Sequence, residues 1–154
     1  LRRLGRTGLE VTEFGCGGYF TAGPNAHHDM ERQVRELNFI LDQGVNFFDL
    51  QWDLEIEAMR RVLKSRPKDF YINLRAMWYP EANRSSKEHI LECANRELKE
   101  LGADHADVIQ ITHNDGYSPP VTSDVHLEAI RESFAQLKQQ GKIPSFLSPS
   151  MTQR

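Results

Sequence analysis

Apolar positions along the chain alternate between two rhythms. Val34, Leu37, Ile40 and Leu41 share one face of a 3.6-residue period, which predicts a helix from Met30 to Gln43 with Gly44 closing it. Ile56, Met59 and Leu63 do the same for a helix from Glu55 to Lys64. Ile90, Leu91, Ala94, Leu98 and Leu101 line a third helix from Ser85 to Leu101, with Ser85 and Glu88 spaced as a capping box and Gly102 at its end. Ile130, Phe134 and Leu137 line a fourth, from Asp124 to Gln140, stopped by Gly141. Between these lie short unbroken apolar runs: Val45 to Leu50, Phe70 to Met77, Ala106 to Thr112 and Ile143 to Leu147. Val11 to Phe20, with Val11, Phe14, Cys16 and Phe20 around Gly15, Gly17 and Gly18, reads as a short buried strand that runs into a glycine turn. Leu1 to Leu9 is read as turns around Gly5 and Gly8.

Strand and helix therefore alternate through the chain, and the strands are continuous apolar runs. Parallel strands covered by helices look like this, so the fold class is α/β. Four βα units and one more strand make about half of an eight-stranded (β/α)8 barrel, a fold that typically needs ~250 residues. An open doubly wound parallel sheet is the alternative, and the pattern alone does not separate the two. No linker or low-complexity tract divides the 154 residues.

Composition narrows the function classes more than the fold. A formal charge of −3 and a pI near 6.1 give no electrostatic footprint for nucleic acid or an anionic membrane surface. A mean hydropathy of −0.58 and the lack of a long uncharged apolar run exclude a membrane span. Two cysteines, Cys16 and Cys93, make no metal-type pair and no disulfide framework; with no signal peptide visible, a cytoplasmic setting is expected. Gly15-Cys16-Gly17-Gly18 does not make a dinucleotide fingerprint, because Phe20 stands where the last glycine belongs and no helix begins there. No metal site is read from the sequence; His27-His28-Asp29 sits in a polar loop, where a histidine pair is ordinarily just solvated.

Several local patterns are more specific. Leu4-Gly5-Arg6-Thr7-Gly8-Leu9-Glu10-Val11 and Gly15-Cys16-Gly17-Gly18-Tyr19 resemble the opening of aldo-keto reductases. Gly44-Val45-Asn46-Phe47-Phe48-Asp49 resembles that family's second strand with its catalytic aspartate. The stretch from Glu97-Leu98 through Leu101-Gly102-Ala103-Asp104 to Asp107-Val108-Ile109-Gln110 resembles its fourth, and Leu137-Lys138 with Gly141-Lys142-Ile143 the entry to its fifth. The matches are collinear and span nearly the whole chain. The resemblance implies a (β/α)8 TIM barrel, of which residues 1–154 are the N-terminal part of a single domain, and NADPH-dependent reduction of a small-molecule carbonyl substrate. It also implies that most contacts to the cofactor's adenosine phosphate fall in a second half not covered here. A half barrel has two open parallel edges, so association between copies of the chain, or dependence on a second half, is expected.

The family's chemistry uses a proton-donating tyrosine, a lysine paired to an aspartate, and a histidine beside the carbonyl. By resemblance Asp49 takes the aspartate's place, at the C-terminal end of its strand where barrel chemistry sits. The tyrosine's place falls near Leu54, and no tyrosine lies between Asp49 and Phe70. The lysine's place falls on Arg75, which keeps the charge but titrates too high to tune a neighbour and prefers bidentate partners. The histidine's place falls on Thr112, with His113 beside it; a strand end or bulge there would turn His113 into the site. Tyr79 and Tyr19 are the other candidate proton donors, and Gly17, Gly18, Tyr19 and Asp49 the candidate cofactor contacts. The tetrad is thus degenerate. Two functions follow: a divergent NAD(P)H-dependent reductase, or a non-catalytic aldo-keto-reductase-like binding or scaffold protein.

Overall fold

The structure is a computed structural model, and it describes residues 1–17, 29–76, 86–111 and 124–144. The chain opens with a hairpin in which β1 (Arg2–Arg3) pairs antiparallel with β2 (Glu10–Val11). The turns expected over the first nine residues are there, but they join two strands. A four-stranded parallel sheet follows in sequence order, β3 (Cys16–Gly17), β4 (Phe47–Leu50), β5 (Tyr71–Ala76) and β6 (Val108–Ile111). Helices α1 (Met30–Asp42), α2 (Asp53–Ser65), α3 (Lys87–Leu101) and α4 (Asp124–Gln139) alternate with these strands.

Each helix packs on the next, α1 on α2, α2 on α3 and α3 on α4. A doubly wound sheet reverses its strand order at a switch point. This one does not reverse, and its buried apolar side chains all lie on one face. The arrangement is an arc of a (β/α)8 barrel, and the doubly wound alternative is set aside.

The core lies between that face and the helices. Phe48 pairs in register with Ile72, Leu50 with Leu74, and Leu74 with Ile109, so the five form one apolar patch. Each is 5% exposed or less. Leu37 and Leu41 of α1, Ile56, Met59 and Val62 of α2, and Leu98 and Leu101 of α3 cover it. Phe70 meets Phe48 edge to face, ring centroids 5.6 Å apart.

The helix starts are set by side chains. Asp29 caps α1 by accepting from the Arg32 N–H at 3.1 Å. The α3 cap is Ser86 rather than the expected Ser85; its Oγ accepts from the His89 N–H at 3.2 Å, which puts His89 rather than Glu88 three residues into the helix. Helix α2 starts two residues earlier than expected because Glu55 folds back: its Oε2 accepts from the Gln51 and Trp52 N–H groups at 3.0 and 3.2 Å. That satisfies donors at the end of β4 and joins strand to helix with almost no loop. Helix α3 stops at Gly102, whose φ of 71° favours glycine.

One expectation fails at the margins, and another lies mostly outside the described residues. Phe14 is 81% exposed, because β3 is only two residues long and starts after it. Ile143 is buried, yet residues 143–144 form no strand; the rest of that expected strand lies outside the described residues.

Polar ties close the N-terminal end of the sheet. Asn46, just before β4, donates from Nδ2 to the Glu10 carbonyl at 2.9 Å and accepts the Thr12 N–H at 2.7 Å, which fastens the hairpin there. Asp107 Oδ2 accepts from Lys68 Nζ at 2.6 Å and from the Ile72 N–H at 2.8 Å. In barrels that end serves stability and the opposite end serves chemistry. No helix among the described residues is long and apolar enough to cross a membrane.

Candidate functional site

Alternation along β4 and β5 sends every second side chain away from the helices. Asp49 pairs in register with Asn73, and Arg75 with Gln110, so these four stand on the face opposite the core. Gln51 continues the line beyond β4. The face is polar where the helix-covered face is apolar. The continuous hydrophobic runs read from sequence hide this, because Asn73, Arg75 and Gln110 are single polar interruptions.

The four side chains and Gln51 are joined. Arg75 NH2 donates to Asp49 Oδ2 at 2.6 Å, and its NH1 to Gln51 Oε1 at 2.9 Å. Asn73 Nδ2 donates to Asp49 Oδ1 at 2.7 Å and to Gln110 Oε1 at 3.0 Å. The Asp49 and Arg75 side chains are each 25% exposed, so this ion pair is partly hydrated rather than sealed away. Asn73 is buried. Its Oδ1 and Arg75 Nε are buried without a hydrogen-bond partner among the described residues.

Beside the network is an open concavity of ≈ 680 Å³ lined by Gly15, Cys16, Gly17, Phe47, Asp49, Gln51 and Arg75. Gly17 pairs with Asp49 across β3 and β4. A Cβ at position 17 would lie 2.6 Å from Asp49 Cβ and 2.7 Å from the Asp49 carbonyl oxygen. Glycine is required there so that the strand can approach Asp49. Burial, and secondarily the Glu55 carboxylate, pushes the Cys16 thiol up from its ordinary value, which disfavours the thiolate.

Of the residues expected from sequence, the structure brings Asp49, Arg75 and Gly17 together at the C-terminal end of the sheet. Leu54 lies in the first turn of α2, half-buried, and offers no proton. Gly18, Tyr19, Tyr79 and His113 lie outside the described residues. Sequence reasoning missed Asn73 and Gln110. The available signal was a polar residue two positions before Arg75 in one strand and in the middle of Val108-Ile109-Gln110-Ile111 in the next.

Comparison with known proteins places this geometry. The family model described as "Aldo/keto reductase family" matches residues 13–146. A Schizosaccharomyces pombe protein named "Putative voltage-gated potassium channel subunit beta" is 31% identical over 153 residues, covering 92% of this chain and 42% of its own length. The holo form of an aldo-keto reductase from Bacillus halodurans superposes with a TM-score of 0.69 at 25% identity, over 92% of this chain and 47% of that one. A glycerol dehydrogenase from Gluconobacter oxydans superposes with a TM-score of 0.68 at 20% identity, over 92% of this chain and 45% of that one, a likeness of fold. The chain spans about half the length of the relatives it matches.

Proposed function

The chain belongs to the aldo/keto reductase family, and from that premise we propose that it forms the N-terminal part of a single barrel domain that binds NADP(H) and reduces a small carbonyl compound slowly, in the cytoplasm. The observation that carries this reading is the Asp49–Arg75 contact of 2.6 Å beside an open concavity. The pair stands where the resemblance puts the aspartate and lysine, at the strand ends where barrels do chemistry.

The residues present fit the nicotinamide end of such a cofactor. The concavity is lined by Gly17 and by the polar side chains of Asp49, Gln51 and Arg75. When bound, the cofactor supplies hydride to a carbonyl carbon. Asp49 accepts from Arg75 and so holds the guanidinium at the floor of the concavity. Arg75 supplies a fixed positive charge and N–H donors that favour negative charge on a carbonyl oxygen, but no proton near neutral pH. Leu54, in the tyrosine's place, supplies none either. Losing a general acid typically costs ~10²–10⁴ in rate. Tyr19, Tyr79 and His113 are the side chains proposed to protonate the oxygen in its place.

Leu54 also favours a second reading, in which the barrel binds the cofactor and acts as a binding or scaffold protein without turnover. The channel-subunit name of the yeast relative points the same way. An NADPH fluorescence titration of the whole protein, with turnover of an aromatic aldehyde, separates the two. Binding with slow turnover that rises strongly in Leu54→Tyr/Arg75→Lys supports the reductase. Binding with no turnover in either protein selects the second reading, and absence of NADPH binding overturns both.

A further inference from the structure

A carboxylate held by one partner swings about its side-chain torsions; one held at both oxygens from a neighbouring strand does not. Asp49 is of the second kind, with Arg75 at Oδ2 and Asn73 at Oδ1. Asn73 is itself held. Both hydrogens of its amide are used, one on Asp49 Oδ1 at 2.7 Å and one on Gln110 Oε1 at 3.0 Å. An amide flip would set its oxygen against two other acceptors, so the donor orientation is fixed. The three residues come from β4, β5 and β6 in turn and form a belt across the sheet.

The belt carries a cost that an apolar residue would avoid. Asn73 is 5% exposed, and its Oδ1 has no hydrogen-bond partner among the described residues. A buried acceptor left unpaired is unfavourable, and a Leu or Val at position 73 would fill the space without it. The gain from Asn73 is the hold on Asp49.

Resting on the site reading above, we infer that Asn73 and Gln110 are positioning residues: Gln110 orients Asn73, Asn73 orients Asp49, and Asp49 thereby fixes the guanidinium of Arg75 beside the concavity. Neither of the two touches a ligand in this role. If Asp49 swung freely, Gln51 Oε1, 2.9 Å from Arg75 NH1, would hold one edge of the guanidinium while the other moved with the carboxylate.

The test follows the side-chain N–H signals of Arg75 by nitrogen-15 NMR in the whole chain without cofactor. Asn73→Asp keeps the shape and replaces the donor by an acceptor. Gln110→Met removes the acceptor on β6 while nearly conserving volume. Hydrogen bonds to charged groups are the strong class, so exchange of the Arg75 N–H with water is expected to speed up about tenfold in Asn73→Asp. A smaller increase is expected in Gln110→Met. The double variant should match Asn73→Asp alone, because Gln110 acts only through Asn73. Unchanged exchange in either single variant, or additive effects in the double, overturns the proposal. If Asn73→Asp loses the near-ultraviolet circular dichroism of the folded chain, Gln110→Met decides by itself, and wild-type exchange there overturns the belt. An NADPH titration of the wild type is the separate arm: failure to bind removes the reductase reading and leaves the exchange result standing.

Discussion

The two faces of one sheet treat charge in opposite ways. Toward the helices, Phe48, Leu50, Ile72, Leu74 and Ile109 exclude water and define the core. Away from them, at alternate positions of the same strands, Asp49, Asn73, Arg75 and Gln110 form a connected polar layer with an open concavity beside it. The helix side holds a buried acid too. Glu97 of α3 is 2% exposed, its Oε1 is 3.0 Å from Arg96 NH2, and its Oε2 has no partner among the described residues. Burial in the first place, with Glu100 and Asp53 adding to it against Arg96, pushes the Glu97 carboxyl up from its ordinary value. On the open face, by contrast, the Asp49 carboxylate has a donor at each oxygen and is one-quarter exposed. One face excludes water, and the other gathers paired polar groups beside a concavity.

Substitutions that break this contrast should rank by face. Phe48→Ala removes a fully buried ring from the apolar face and should cost about 3–5 kcal/mol, read as the loss of stability in urea unfolding. Gly17→Ala should cost about 1–3 kcal/mol by overpacking, because the new Cβ meets Asp49 backbone atoms that cannot swing aside. It should also displace Asp49, visible as a weaker response to NADPH.

Arg75→Met strikes the polar face. A sealed ion pair would lose more, but this one is one-quarter exposed at each partner, so about 1–2 kcal/mol is expected. Asp49→Asn combined with Arg75→Met should recover part of that loss in thermal denaturation, because no charge is then left unpaired. Near-neutral single variants would show that the pair contributes nothing to folding.

The smallest effect concerns Glu97 and has a defined sign. An acid whose folded-state value is raised stabilises fully below its ordinary value of 4.5. That contribution is lost as pH rises through the raised value. Glu97→Gln should therefore flatten the pH dependence of the melting temperature above pH 4.5 and raise it relative to wild type at about pH 7. The open helix surface supplies the opposite case. Arg60, then Arg61, hydrogen-bond Glu57 and hold its carboxyl down at about 2. Its contribution is present above its ordinary value of 4.5 and fades as pH falls toward about 2.

Much of this architecture is legible in the sequence. The four helices announced themselves by period, and all four end within a residue of where the pattern stops. The alternation of strand and helix implied a parallel sheet. Glu55 was not legible as a cap, because the apolar period places it at the first position of the helix and does not show its carboxylate folding back onto the strand before it. Spacing to Glu88 favours Ser85 as the α3 cap, but the chain caps with Ser86, which has His89 at the third position. Phe14 looked like core because an apolar residue near other apolar residues is read as buried. Only the short length of β3 leaves it outside.

The sequence by itself determined the class of fold, the family and the place of Asp49, since periodicity and local motifs are properties of neighbouring residues. The tertiary structure decided everything that depends on register between strands. Asp49 lies 24 positions from Asn73, and Asn73 lies 37 from Gln110. No local pattern relates such positions. Parallel pairing sets them side by side, and the two-residue alternation of each strand turns all three to the same face. The choice between barrel arc and doubly wound sheet was settled in the same way, by strand order and by which face the helices cover. A chain that reads as a succession of apolar runs thus acquires a polar face only when its strands are laid in register.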